Sequence, residues 1–310
     1  MRPRSWLLTT IVTMALAAAA IAAVNAELDI YGLYRPTPGR HLLVYGDTRI
    51  AKYLLSVRYV PENFNAILAG ASISANWDVT AIDGLRVYNE SLNGGNVVEE
   101  KAVMEAALER PGISVAFLLV HPAMTYSHEF HTVRMDSELK RSALGSISLF
   151  DAYRDMAKIR IGRIPQVFDY AGTETFSQGT SEMNPFMKKM WSAKDFAVDP
   201  VALQAQRDLI ADLRAHRVQI VFIVPPTSEA LLMTKGEPLE RYMRAMRSEI
   251  GAENLWIDLS SPEYEDFRSN PANFSDGVHL TTGGAKLVVG YISTATSRWI
   301  AERRLVVGPR

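Results

Sequence analysis

The sequence alternates short, uninterrupted apolar runs with longer segments in which apolar residues recur at helical spacing. The apolar runs are bounded by polar residues and are too short for helices, so they predict buried β-strands. They lie at 65–69, 85–89, 115–120, 218–224 and 255–259. The other segments predict helices at 52–59, 97–110, 142–161, 201–216, 239–250 and 281–303. This alternation favours an α/β fold, a three-layer α/β/α sandwich with a parallel sheet.

The N-terminal segment differs from the rest of the chain because it carries no charge from Trp6 to Ala26. Arg2 and Arg4 precede it, and positive charge before an apolar stretch favours an orientation with the following chain outside. The run has roughly the 20 residues that span a bilayer, and its end resembles a small-residue cleavage site. Residues 1–26 are therefore predicted to be a signal peptide or an N-terminal membrane anchor. Residues 27–310 are predicted to lie in the bacterial periplasm or at the cell surface, anchored to the inner membrane or secreted.

Composition narrows the possible functions. The 310 residues are 48% hydrophobic and 22% charged, which is typical of one large globular domain behind the N-terminal segment. A net charge of -1 gives no electrostatic basis for binding nucleic acid. The absence of cysteine excludes disulfides, a cysteine nucleophile and thiolate metal sites. His128 and His131 are three residues apart without a third ligand in view, so no metal and no cofactor are predicted.

Two distant motifs carry the candidate chemistry. Ser72 follows the first predicted strand in the run Gly70-Ala71-Ser72, where a glycine lets the chain turn sharply and an open α/β sheet places its ligand crevice. A serine hydroxyl needs a base to remove its proton. Asp276 and His279 lie three residues apart near the C-terminus, so one loop could hold a carboxylate against one imidazole nitrogen and leave the other for Ser72. The alternative is that Ser72 caps a helix and His279 is an ordinary surface residue.

These motifs resemble the SGNH, or GDSL-type, hydrolase family. That family has a Gly-Asp-Ser block after its first strand and an Asp-x-x-His block before its last helix. Here the blocks read Gly70-Ala71-Ser72 and Asp276-Gly277-Val278-His279. The resemblance covers roughly residues 60–120 and 200–300. It implies an SGNH-type, flavodoxin-like sandwich in which Ser72 is the nucleophile, His279 the base and Asp276 the residue that orients it.

The resemblance also suggests which groups would bind the oxyanion. The N–H of Ser72 is one, and Gly94 best matches the family's glycine after the second strand, with Gly95 next. The family's oxyanion asparagine should follow the third strand, but this chain has His121-Pro122-Ala123 there. His121 could donate in its place, because an imidazole N–H can fill that role. A capping or packing role for His121 stays open.

Two other stretches bear on the site. Residues 122–200 do not follow the strand–helix repeat and are predicted to be an insertion over the crevice that sets substrate choice. Residues 41–48 look like a strand followed by Gly46-Asp47-Thr48, a near copy of the Gly-Asp-Ser block. Ser72 is preferred over Thr48 as the nucleophile because another strand-like run follows Ser72 at the right distance. The rest of 27–65 is expected to be largely extended.

The resemblance implies serine-dependent acyl transfer outside the cytoplasm. Membrane-tethered members often add or remove acetyl groups on cell-surface or secreted polysaccharides, so an acetyl-esterase or O-acetyltransferase is expected. The expected partners are an acylated glycan or other ester and the membrane through residues 1–26, and a membrane-bound acyltransferase is a possible further partner. The alternative is a non-catalytic scaffold of the same fold that binds glycan or a membrane partner. A lipase-like hydrolase with a long apolar groove is a third hypothesis.

Overall fold

The structure is a computed structural model, and it describes residues 3–127, 134–143, 147–175, 182–183, 185–251 and 254–303. The histidine pair His128 and His131 lies outside the described residues.

Five strands form one fully parallel sheet. They are β1 (Ala66–Ala69), β2 (Val87–Asn89), β3 (Val115–Leu119), β4 (Gln219–Val224) and β5 (Leu255–Asp258), and their order in the sheet is β2-β1-β3-β4-β5. Most strand residues are buried, as expected for a parallel sheet covered on both faces. The strand order reverses between β1 and β3, and open α/β sheets bind ligands beyond the carboxyl ends of the strands at such a point.

Helices cover both faces of this sheet, which confirms the predicted three-layer sandwich. They are α1 (Pro3–Leu28), α2 (Thr48–Ser56), α3 (Tyr59–Asn63), α4 (Val97–Leu108), α5 (Pro122–Thr125), α6 (Ser137–Ser142), α7 (Ile147–Arg160), α8 (Pro185–Ser192), α9 (Pro200–Ala215), α10 (Glu229–Ile250), α11 (Glu265–Ser269) and α12 (Thr282–Arg303). α4 packs against α9 and α2, and α12 packs against β5. The apolar side of α12 buries Val288, Val289 and Ile292, and burial of that kind stabilises a helix by roughly 1.5–3 kcal/mol per large side chain.

The stretch before β1 differs from its prediction. The helix predicted at 52–59 is α2, which begins earlier at Thr48, and α3 follows it. The predicted strand before Thr48 does not form. Asp47 instead caps α2, because its carboxylate accepts the backbone N–H groups of Arg49 at 3.0 Å and Ile50 at 3.2 Å. Asparagine, aspartate and serine favour this position because the first N–H groups of a helix have no partner within it. Gly46-Asp47-Thr48 is therefore a helix start rather than a second nucleophile block.

Two helix boundaries also differ. The helix predicted at 142–161 corresponds to α7, which begins at Ile147, and α6, which was not predicted, precedes it. The helix predicted to begin at Leu239 begins at Glu229 and contains Pro238. A proline removes one helical hydrogen bond and crowds the preceding turn. Most of the turns before Pro238 are only partly buried, so water can satisfy the carbonyl that loses its partner.

α1 is long and apolar enough to cross a membrane by length and composition, with mean hydropathy 2.3 over Trp6–Leu28. Its side chains in that stretch are mostly exposed. Asp29 follows the helix and is buried, and its carboxylate accepts the N–H groups of Leu33 at 2.7 Å and Arg35 at 3.0 Å. The C-terminal end of α1 is therefore joined to the folded domain by a structured turn.

Candidate active site

The peptide around Gly70 places Ser72 at the carboxyl edge of β1. The backbone of Gly70 accepts the N–H of Leu92 at 2.8 Å, which ties this turn to the segment after β2. A Cβ at Gly70 would lie 2.2 Å from Ser74 Oγ and 3.2 Å from Leu119 Cβ. Gly70 is not among the glycines with positive φ. The glycine is therefore required by close packing, not by the sharp backbone angle expected from the sequence.

Asp276 and His279 are held together by a short closed loop. Asp276 Oδ2 lies 2.7 Å from His279 Nδ1. Asp276 Oδ1 accepts the backbone N–H groups of Val278 at 3.1 Å and His279 at 2.8 Å. Gly277, with φ of 96°, takes the left-handed conformation that this turn requires. Both carboxylate oxygens are therefore occupied, and the imidazole is fixed relative to its own backbone.

The charge of Asp276 follows from these contacts. Burial raises the pKa of Asp276, but the hydrogen bonds from the His279 ring and from the two backbone N–H groups outweigh burial, and the pKa lies below the ordinary value. The group is thus a carboxylate at neutral pH and acts only as an acceptor. Because it accepts at Nδ1, the neutral imidazole carries its proton there and leaves Nε2 as a proton acceptor.

Folding brings this nitrogen to Ser72. Ser72 Oγ lies 2.8 Å from His279 Nε2, although the two residues are 207 positions apart in the chain. Asn76, in the turn after Ser72, donates to the carbonyl of Leu280 at 2.8 Å. The turn after β1 and the loop before α12 are therefore joined directly. The arrangement can remove a proton from Ser72 and so make its oxygen a nucleophile.

A crevice of about 510 Å³ opens at Ser72 and His279. Its apolar lining residues are Ala71, Ile73, Ala123, Pro185, Phe186 and Met187. Its polar lining consists of Arg49 and Asn93 together with the backbone of Gly94 and Gly95. Part of the predicted insertion at 122–200 therefore lies at the crevice, and its control over substrate choice stays a prediction.

At the crevice, the backbone N–H of Gly94 has no acceptor in the described part of the chain. The N–H of Ser72 faces the carbonyl of Leu92, because Ala71 and Leu92 form a parallel β-bridge. Gly94 has φ of 66°, so its backbone is left-handed, and Gly95 donates to the carbonyl of Leu92 at 2.9 Å to close the turn. An unused N–H group beside a nucleophile is what a developing oxyanion requires. The role of the Ser72 and Gly94 N–H groups as oxyanion donors stays a proposal.

A buried polar cluster supports the segment that leads into Gly94. The ammonium group of Lys52, fully buried in α2, donates to the carbonyls of Asn89 at 2.6 Å and Ser91 at 2.8 Å. Burial lowers the pKa of Lys52 to about 8, against the opposing charge of Glu90. Burial likewise raises the pKa of Glu90, which accepts from Ser56. The end of β2 is thus anchored to α2 by side chain to backbone bonds.

His121 has a different environment from the other candidate donors. It is 2% exposed, it caps α5, and its Nδ1 accepts the N–H of Ala123 at 3.2 Å. Burial and the nearby His279 lower the pKa of His121 to about 3, so the ring is neutral and its Nε2 carries the proton. That Nε2 is buried without a partner among the described residues. Ala123, not His121, lines the crevice at this point. The role of His121 as an oxyanion donor stays a prediction.

Sequence reasoning did not single out several residues that line the crevice, among them Arg49, Asn93, Phe186 and Met187. Arg49 lies between Gly46-Asp47-Thr48 and the helix predicted to begin at residue 52, and a lone arginine there carries no local signal. Asn93 immediately precedes Gly94. The sequence therefore predicted this part of the site but did not predict that Asn93 lines the crevice. In the described ranges, no group of three or more histidine, aspartate or glutamate side chains could hold a metal ion.

No family model and no curated protein matches the sequence. Among solved structures, TesA is 12% identical with a TM-score of 0.40, over 75% of this chain and 98% of that one. A GDSL-like lipase from Bacteroides thetaiotaomicron is 9% identical with a TM-score of 0.38, over 77% and 88%. A protein from Streptococcus pneumoniae, described as a candidate platelet activating factor, is 10% identical with a TM-score of 0.45, over 82% and 91%.

Likenesses this distant carry no argument about chemistry or substrate. The chain's own geometry is more specific. Its parallel sheet has the order β2-β1-β3-β4-β5, Ser72 follows the first strand, and the Asp276–His279 loop precedes the last helix. This placement of serine, histidine and aspartate on a parallel sheet is the one that the resemblance to SGNH-type hydrolases predicts.

Proposed function

We propose that the protein transfers an acyl group from an ester through Ser72. The observation that carries the proposal is the pair of contacts at His279, with Ser72 Oγ 2.8 Å from Nε2 and Asp276 Oδ2 2.7 Å from Nδ1. The crevice and the unused N–H of Gly94 beside it support the same reaction class. The substrate is an acetyl ester of a cell-surface or secreted polysaccharide.

The reaction has two halves. The Ser72 hydroxyl passes its proton to His279 Nε2 while Oγ forms a bond to the ester carbonyl carbon. The carbonyl oxygen becomes an oxyanion that accepts hydrogen bonds from the N–H groups of Ser72 and Gly94, with His121 as a third candidate donor. When the tetrahedral intermediate collapses, the bond to the leaving alcohol breaks and His279 returns the proton to that oxygen. The acetyl group is then an ester of Ser72.

A second nucleophile completes the cycle. Water gives a free carboxylic acid and makes the protein an acetyl-esterase. A sugar hydroxyl gives a new glycan ester and makes it an O-acetyltransferase, whose acyl donor would come from a membrane-bound acyltransferase. His279 takes the proton from either nucleophile and returns it to Ser72 Oγ, so the same three side chains serve both outcomes.

A covalent probe tests the proposal directly. We expect the purified protein to hydrolyse p-nitrophenyl acetate and to lose that activity after reaction with an alkyl fluorophosphonate. Mass spectrometry of the inactivated protein should place a single phosphonyl adduct on the peptide that contains Ser72. Absent turnover together with an unlabelled Ser72 would favour the non-catalytic scaffold, which is consistent with Ala71 and His121 in place of the family's aspartate and asparagine.

The proposed location is outside the cytoplasmic membrane, with α1 as a retained anchor or cleaved signal. The support is the uncharged apolar stretch of α1 behind Arg2 and Arg4. We expect alkaline phosphatase, which is active only in the periplasm, to be active when fused after Arg310. A cytoplasmic reporter at the same junction should be silent. The reverse pattern would place the crevice in the cytoplasm and exclude an exported glycan as substrate.

A further inference from the structure

Arg49 lies where a helix dipole disfavours it. Asp47 caps α2 and places Arg49 in the first turn, next to the partial positive charge of a helix N-terminus. Its guanidinium points into the structure, since only 16% of the side chain is exposed. Helical preference does not explain an arginine at this position. The explanation therefore lies in the tertiary contacts of Arg49.

Those contacts lie among the polar residues that line the crevice. Arg49 Nε donates to the backbone carbonyl of Asn93 at 3.1 Å. Its Nη1 pairs at 3.1 Å with the carboxylate of Glu99, a side chain with no exposed area. A Cβ built on Gly94 would lie 3.2 Å from Arg49 Nη2. The guanidinium therefore lies alongside Gly94 and is held in place from its far side by Glu99.

The carbonyl of Asn93 and the N–H of Gly94 belong to one peptide group. A trans peptide is planar, so its C=O and N–H point in opposite directions. A cation that fixes the carbonyl therefore also fixes the direction of the N–H. Hydrogen bonds in a chain polarise one another, so the same contact strengthens the N–H as a donor. The side chain of Asn93 is also held, because its amide donates to Glu174.

We infer that Arg49 is a positioning residue, which orients the Asn93–Gly94 peptide so that the Gly94 N–H binds the oxyanion formed at Ser72. The inference rests on the proposed acyl transfer. Arg49 acts through a backbone group and does not itself exchange a proton. This role for Arg49 also gives a function to the Gly46-Asp47-Thr48 motif, which starts the helix that carries Arg49 to the crevice.

The decisive variant removes the charge pair as a unit. Arg49→Met alone would leave the Glu99 carboxylate buried without its cation and could weaken the fold. Arg49→Met/Glu99→Gln removes both charges of this pair. We expect this double variant to lower kcat for p-nitrophenyl acetate by about 10²-fold, the loss seen when one oxyanion donor is removed, with KM changed less than about threefold. A loss confined to kcat marks an interaction made only in the transition state.

Two further measurements separate positioning from stability. Millimolar methylguanidinium should restore part of kcat in the Arg49→Met/Glu99→Gln variant and leave the wild type unchanged. Arg49→Lys keeps the charge without the planar fork, and it should stay well below wild-type kcat while melting at a similar temperature. The matched control is Arg244→Met/Glu240→Gln, an exposed pair in α10, which should keep wild-type kcat.

The outcomes are distinct. Wild-type kcat in Arg49→Met/Glu99→Gln, or in Arg49→Lys, would overturn the role of Arg49 and leave the acyl-transfer proposal standing. A loss of kcat that tracks the loss of folded protein and does not respond to methylguanidinium would also overturn it, by assigning Arg49 to stability alone. Absent wild-type turnover and absent Ser72 labelling would instead overturn the proposed function.

Discussion

Ser72→Ala should lower kcat for p-nitrophenyl acetate by at least about 10⁴-fold while leaving the melting temperature close to wild type. The change removes one oxygen, which contacts His279 at a partly buried position, and leaves the backbone donors in place. His279→Ala should be about as damaging, since the base is then missing. The double variant should be no worse than either single one, because members of a triad act as a unit.

Thr48→Ala is the matched control for this prediction. It changes the hydroxyl of the second Gly-x-Ser/Thr motif and should keep most of the activity, because Thr48 begins α2. Acetyl release from the model ester and acetyl content of the surface polysaccharide in a complemented deletion strain give two independent readouts. Full activity of Ser72→Ala on either one would contradict the nucleophile assignment and make the scaffold hypothesis the better one.

Asp276→Asn should reduce kcat by about 10³–10⁴-fold. Asp276 Oδ1 accepts two backbone N–H groups, whereas Oδ2 faces His279 Nδ1. An asparagine satisfies both backbone donors only with its oxygen at the Oδ1 position, so its NH₂ group faces the imidazole. Nδ1 must then accept a hydrogen bond, so the ring proton moves to Nε2. A protonated Nε2 can no longer receive the proton of Ser72. Asp208→Asn, an exposed aspartate in α9, is the matched control.

The same variant should alter stability in acid. The pKa of Asp276 in the fold lies below its ordinary value of 3.8. A carboxyl of this kind stabilises the fold at pH above its ordinary pKa, and the contribution is lost as pH falls through the lower folded pKa. Urea titrations should therefore show the largest stability difference between wild type and Asp276→Asn above about pH 4, with a smaller difference below it. A difference independent of pH would contradict the ionised Asp276.

Much of the fold follows from local patterns. The five apolar runs became the five strands because a parallel sheet buried on both faces needs short, wholly apolar segments. The bounds were less accurate, and the helix that begins at Glu229 was predicted ten residues late at Leu239, because sequence rules treat Pro238 as a stop. Asp47 shows the same limit, since an aspartate after a glycine reads equally as a loop or as a helix cap.

For the candidate site, too, the sequence predicted some features and the tertiary structure decided others. The sequence by itself determined which chemical groups stand at strand and helix ends: Ser72 after β1, Asp276 and His279 before α12, and an apolar N-terminal segment long enough for a membrane. Periodicity and short spacings encode these features, because they depend on neighbours within a few residues.

Only the tertiary structure decided what these groups meet. It brought Ser72 and His279 together across 207 positions. It also placed the guanidinium of Arg49 on the carbonyl of Asn93, 44 positions away, and set Phe186 against the same crevice. Such contacts depend on how helices pack on the sheet, and the identity of a residue does not record what lies across the fold from it.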